Sequence, residues 1–283
     1  MIRESVFSGK FYPSDVRQLI STIEDSFVRT DGPGSIPVLS RSKLKNHELK
    51  AVMVPHAGYV YSASVASHAY YNLAVDGFPE TFVIIGPNHT GIGDLLSIYP
   101  DGKWLTPLGR VNVDEEFAKN LIENSEYASS DYSAHMNEHS IEVQLPFLQY
   151  FSQDFEIVPV CMGLQDKSTV NDLVESIIST KNDLEKDVCI IASTDLSHFN
   201  NEELANEEDK LLLDNISQLD SDNLFSVVKE NNITMCGYGP VMVAIDYCKN
   251  IGDGFCQLLK YSTSGRVTGD FHSVVGYGSA LFK

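Results

Sequence analysis

Three apolar runs in the chain stop abruptly at a turn that carries a histidine. AVMV is followed by Pro55-His56-Ala57-Gly58, TFVIIGP by Asn88-His89-Thr90-Gly91, and VCIIAS by Thr194-Asp195-Leu196-Ser197-His198. A short aliphatic run without polar alternation reads as a strand buried on both faces. Sheets of that kind bind ligands beyond the carboxyl ends of their strands. If the three strands are neighbours, His56, His89 and His198 converge on one side of one sheet although they lie far apart in the chain. Convergent imidazoles are the material of a metal centre or an acid–base site.

Each candidate has a bland reading beside the functional one. Pro55 before His56 and Gly58 after it make a rigid mount for a ring. A lone histidine is more often a partly buried group satisfied by the backbone, but the second mount at Gly86-Pro87-Asn88-His89 shifts the balance toward chemistry. Asp195 and His198 form D-x-x-H, in which the carboxylate could orient the imidazole or bind a ligand; capping the next helix is its ordinary role. Cys236 lies in Cys236-Gly237-Tyr238-Gly239-Pro240 ahead of a predicted helix. Free amides and the helix dipole there favour a thiolate, the form that binds metals and attacks electrophiles, and a merely buried thiol fits the same place.

His135-Met136-Asn137-Glu138-His139 matches H-x-x-E-H, which on a helix offers two imidazoles to zinc and a glutamate as base. Asn137 and the polar stretch before it predict that the helix begins near Glu138, which leaves His135 in or before the cap. His139 and Glu142, three apart at that start, are candidates for the site or for groups behind it. No G-x-G-x-x-G follows a strand and no Walker-type loop or G-x-S-x-G occurs, so nucleotide binding and a serine triad lack support.

The elements that must position these residues alternate. Asp15 or Ser14 caps a helix over VRQLISTIEDSF. Residues 30 to 48 read as a loop rich in glycine and proline. Strand, turn and helix then recur: YSASVASHAYYNLAV, DEEFAKNLIEN and STVNDLVESIIST are helical, while LLSIY and FEIVPVCMG are strands. EHSIEVQLPFLQYF predicts an amphipathic helix that Pro146 kinks or restarts. The stretch Trp104 to Gly109 reads as an irregular surface excursion. Two acidic helices follow His198, and Pro240 sits in the first turn of a buried helix. The chain closes on two strands joined by a Gly-rich turn around Ser264 to Asp270. The expected fold class is α/β, a mainly parallel sheet covered by helices on both faces, with residues 1–283 as one domain.

Acidic residues outnumber basic ones 39 to 20, a formal charge of -19. Such a surface repels phosphate backbones and anionic lipid, so neither nucleic acid nor membrane is an expected partner. The amino-terminal residues lack the apolar stretch of a signal peptide. Five cysteines without a C-x-x-C pair suit a reducing cytoplasm rather than a disulfide framework. Aromatic loops around Tyr99 and Trp104 could serve an interface between copies.

The motifs GKFYP, PHAGYVYS, IIGPNHTG, EHSIEVQLPFL, STDLSHF, MCGYGP and TSG followed by SVVGYGSA, in that order, resemble the MEMO family over nearly the whole chain. The resemblance implies a fold akin to the class III extradiol, LigB-like dioxygenases, which are non-haem iron enzymes. It also implies His56, His89 and Cys236 as metal ligands with His198 and Asp195 beside them as catalytic groups. A functional association with a radical SAM protein and an AMMECR1-like protein is implied for archaeal and bacterial relatives, and links to motility signalling and redox for eukaryotic ones. The dioxygenases hold iron with two histidines and a carboxylate, whereas the third candidate here is a cysteine. A softer, more oxidisable donor shifts the expected ion toward copper, zinc or a differently tuned iron.

Three functions therefore compete. The first is a metal-dependent, dioxygenase-like oxidoreductase acting on a small molecule. The second is a binding module that keeps the pocket to capture a small molecule or peptide without turnover. The third is metal-assisted hydrolysis, in which two histidines and a cysteine hold zinc and His198 assists a bound water.

Overall fold

The computed structural model describes residues 1–40 and 47–283. The predicted loop over 30 to 48 falls partly outside the described residues, at 41–46. In chain order the elements are β1 (Ile2–Arg3), α1 (Val16–Val28), β2 (Ala51–Val54), α2 (Tyr59–Asp76), β3 (Thr81–Pro87), β4 (Leu96–Ile98), β5 (Lys103–Thr106), β6 (Gly109–Val113), α3 (Glu115–Glu123), β7 (Ala128–Ser130) and α4 (Ser133–Met136). A 3-10 turn (Glu142–Gln144) leads into α5 (Leu145–Phe151), then β8 (Glu156–Met162), α6 (Lys167–Leu184), β9 (Val188–Ser193), β10 (His198–Asn200) and α7 (Glu202–Ser217). The chain ends with α8 (Ser221–Glu230), α9 (Tyr238–Ile251), β11 (Cys256–Thr263), α10 (Gly265–Thr268) and β12 (Val274–Phe282).

The strands form one mixed sheet in the order β1-β5-β6-β8-β3-β9-β2-β12-β10, with β11 on β12 and with β4 joining β7 to β8. Its centre is parallel: β8, β3, β9 and β2 run the same way, and every residue of the last three is buried. Their unbroken aliphatic sequence follows from that double cover. Register brings the three ends level, with Ile85 opposite Ala192 and Val54 opposite Ser193. The histidine-bearing turns therefore open at one height. One face is covered by α2, with α1 and α5 packed on it, and the other by α9, flanked by α6 and α8. Asp15 caps α1 by accepting from the Gln18 amide, as the sequence predicts.

Two expectations are corrected. The stretch from Trp104 is not a surface excursion: β5 and β6 form a hairpin in which Thr106 faces Gly109, and Pro107 with Gly109 serve its turn. Trp104 is fully buried beneath the Arg3 guanidinium, 4.1 Å from the ring centroid, and Tyr99 is buried against it, so neither offers an interface. The helix predicted from Glu138 starts instead at Glu142 as a 3-10 turn, and Pro146 lies in the first turn of α5, so it restarts the helix rather than kinking it. Residues 138–141 are turned aside because the Glu138 carboxylate accepts from backbone and ring N–H groups instead of facing water.

Candidate metal centre

The sheet delivers the three turns, and two glycines let further segments close on them. A Cβ at Gly86, near the end of β3, would meet Ser140 Oγ at 2.2 Å, so only glycine lets the 138–141 turn lie against that strand. A Cβ at Gly237 would meet Ser193 O at 2.3 Å, so the start of α9 touches the end of β9 and carries Cys236 with it. His56, His89 and His139 thereby gather, with one ligand atom of each within 4.8 Å of the others. Among the described residues this set could hold a metal ion. The His89 and His139 rings stack at 4.6 Å, and His56 stands edge-on to both.

The fit to a metal is decided by the nitrogens that face away from the cluster. Ser193 Oγ donates its one hydrogen to Ser140 O at 2.7 Å, so at 2.9 Å from His56 Nδ1 it can only accept. His56 therefore carries its proton on Nδ1 and keeps a lone pair on Nε2. His89 Nδ1 lies 2.9 Å from Glu138 Oε1, and His139 Nδ1 lies 3.4 Å from the same oxygen. The carboxylate can only accept, so His89 too carries hydrogen on Nδ1 and frees Nε2 for a ligand bond, while the His139 ring lies within charge distance of the carboxylate without a hydrogen bond to it. Burial holds His56 well below the usual histidine range, reinforced by the neighbouring imidazoles, and takes His139 down to about 4. Neutral rings are the form a metal binds. Burial alone would raise Glu138, but the His89 hydrogen bond and the nearby rings pull it down to about 2, so it is anionic.

The expected trio of His56, His89 and Cys236 differs from the grouped trio in one member. Cys236 adjoins the cluster through His56: its Sγ is 3.1 Å from His56 Nε2 and accepts from the Asp195 amide at 3.2 Å. Burial pushes its thiol up, outweighing the amides and dipole at the start of α9 that were expected to favour a thiolate. Asp195 Oδ1 accepts from the His56 and Ala57 amides at 2.8 and 3.3 Å, which fixes the turn carrying His56, and burial raises its carboxyl to about 6. His198 is less buried; its Nδ1 lies 2.9 Å from Thr234 O, so Nδ1 donates and Nε2 is left free.

Glu142 does not touch a ring of the cluster. It accepts from Arg3, the Val6 and Phe7 amides and the Tyr12 hydroxyl, and so pins the segment whose Phe7 and Phe11 rings pack on His139. His135 is separate as well: it is buried beside Tyr99 and Trp104 with Nε2 3.0 Å from Ser97 O, which divides the H-x-x-E-H pattern between two environments. Sequence reading passed over Ser193, Gln144 and the role of Glu138. Gln144 Nε2 reaches Ser193 Oγ at 3.0 Å and its Oε1 accepts from Tyr70, so a neutral chain backs His56. The glutamate in H-x-x-E-H was the one available signal for Glu138.

Residues 3–281 match the family described as Memo-like protein. A MEMO1 family protein of Methanobrevibacter smithii is 51% identical over 100% of both chains. Another, of Sulfolobus acidocaldarius, is 44% identical over 100% of this chain and 99% of its own. Among solved structures, an uncharacterized protein from Escherichia coli K12 matches with a TM-score of 0.55 at 12% identity, over 83% of this chain and 100% of that one. At that identity the likeness speaks for the fold alone.

Proposed function

The chain belongs to the Memo-like protein family, and on that premise we propose that it is a metalloprotein performing redox or oxygen-linked chemistry on a small molecule. The observation that carries this reading is the grouping of three imidazoles, two of them backed by hydrogen bonds through Nδ1. His56, His89 and His139 would hold the ion through Nε2, with Cys236 as an adjoining sulfur donor. A transition metal there would supply Lewis acidity and, if iron or copper, electron transfer; a set of nitrogen and sulfur donors suits iron, copper or zinc rather than magnesium or calcium.

The protein's own groups do the remaining work. Ser193 and Glu138 keep hydrogen off the Nε2 atoms of His56 and His89, and the buried strand ends exclude water from the back of the site. His198 Nε2 is the group free to take or give a proton at the mouth. Asp195 holds the His56 turn, and its carboxyl near 6 suits proton exchange close to neutral pH. Five unpaired cysteines fit a reducing compartment such as the cytoplasm. A second reading, metal-assisted hydrolysis, draws on one observation: three histidines are also a donor set that activates water on zinc.

Elemental analysis of protein purified without oxygen tests the reading. Wild type should carry a transition metal, and the His56→Ala, His89→Ala, Cys236→Ala triple variant should carry none while remaining folded. Equal metal in both would refute the ligand assignment. Oxygen uptake across catechols and redox metabolites then separates the two chemistries: zinc without oxygen consumption favours hydrolysis, and no metal under reducing conditions favours a binding module.

A further inference from the structure

The two sides of the cluster are backed by different chemistry, and we infer that Glu138 is a positioning residue that orders one ligand, His89, through both ring and backbone and anchors the turn that carries a second, His139. The inference rests on the metal-centre reading and deepens it. Glu138 is fully buried. Its Oε1 meets His89 Nδ1 at 2.9 Å, His139 Nδ1 at 3.4 Å and the Ser140 amide at 2.9 Å, while Oε2 accepts from the His89 amide at 2.7 Å. One carboxylate thus sets the tautomer of the His89 ring, the turn of the His89 backbone and the approach of the 138–141 segment. The His139 ring stacks on the ring so fixed.

The His56 ring has no carboxylate behind it; Asp195 reaches only its backbone amide. The chain Ser193, Gln144, Tyr70 behind it consists of neutral hydrogen bonds, which are roughly half as strong as those to an ionised group. A buried carboxylate also raises the basicity of the rings that donate to it, and removing such a partner typically lowers metal affinity about 10–100-fold. The glutamate of H-x-x-E-H accordingly serves here as an orienter, spent on three N–H groups, rather than as the base that the same pattern supplies when both histidines flank it on one helix.

The test compares Glu138→Gln, Glu138→Asp and Ser193→Ala in the full chain, using cobalt(II) as the probe. Cobalt affinity is read by chelator competition and the ligand field by the visible spectrum. Glu138→Gln should weaken binding about 10–100-fold and change the spectrum, Glu138→Asp should recover part of both, and Ser193→Ala should weaken binding less than tenfold. Glu138→Gln within threefold of wild type, with an unchanged spectrum, overturns the inference while leaving the metal centre standing. No cobalt binding by wild type removes both. Nitrogen-15 spectra of metal-free wild type are the check independent of any variant's folding: His89 should be protonated on Nδ1, and protonation on Nε2 overturns the assignment.

Discussion

Histidines occur against carboxylates at both ends of the central strands, and the two ends use them differently. Just ahead of β2, His47 Nδ1 lies 3.3 Å from Asp76 O and 3.8 Å from the Asp76 carboxylate, and its Nε2 lies 3.1 Å from Asp187 Oδ2. Both nitrogens are engaged. At the other end His56 and His89 each engage Nδ1 outside the cluster, while Nε2 is not fixed by a carboxylate: that of His56 meets only the Cys236 sulfur. Burial does not distinguish them, since His47 is 5% exposed and His56 2%. What separates a fastening histidine from a ligand is whether the second nitrogen is spoken for.

Paired substitutions give the sharpest break of that comparison. His89→Ala should abolish bound metal with a modest change in stability. His47→Ala should leave metal content unchanged while costing about 1–3 kcal/mol through two carboxylates left without their partner, read by denaturant unfolding. Metal loss in His47→Ala would show that the two ends are coupled.

Acid should separate the ends next. Burial holds His56 well below its ordinary range and His135 and His139 at about 4, against an ordinary value of 6.5. Unfolded chains take up these protons first, so the stability of neutral rings is complete above 6.5 and is lost as pH falls toward about 4. Asp195, raised to about 6, opposes this, since the fold binds its proton first between 6 and 3.8. Asp187, Asp209 and Asp246, also raised by burial, oppose it too, while Glu138, held at about 2, adds to the rings; with the rings dominant, metal-stripped protein should melt roughly 5 °C or more lower at pH 4.5 than at pH 7. His135→Phe, which lies away from the cluster, should reduce that slope without touching metal content. A flat melting profile would contradict the neutral-ring assignment.

The smallest effect concerns Phe199, which follows His198 in a β-bulge and adopts φ 63°, a left-handed conformation costly for phenylalanine. Phe199→Asn should stabilise the chain by about 1 kcal/mol, measured as a raised melting point, with metal content unchanged. Altered metal content would mean that the bulge sets more than the placement of His198.

The strands that carry the site were legible because double burial writes an unbroken aliphatic run, and three such runs ending in histidine predicted neighbours that are indeed β2, β9 and β3. The Trp104 hairpin was not, since Pro107 and Gly109 signal a turn whether the flanking residues are in or out. Ser193 and Gln144 were invisible for a different reason. A hydroxyl or amide behind a ring has no spacing rule, and only a fold that places residue 193 against residue 56 gives it a task. For Cys236, sequence leaves a thiolate and a merely buried thiol both open, since it displays the helix start that favours the first but not the depth of burial that favours the second.

The segment pinned by Glu142 has a practical consequence. Its Phe7 and Phe11 rings face His139, and the Met1 amine pairs with Asp101 at 2.7 Å, so residues 1–12 are masonry of the chamber rather than a trailing end. An affinity handle fused ahead of Met1 would pull on that wall, and trimming from the same side would bare His139 before any of the central strands was disturbed.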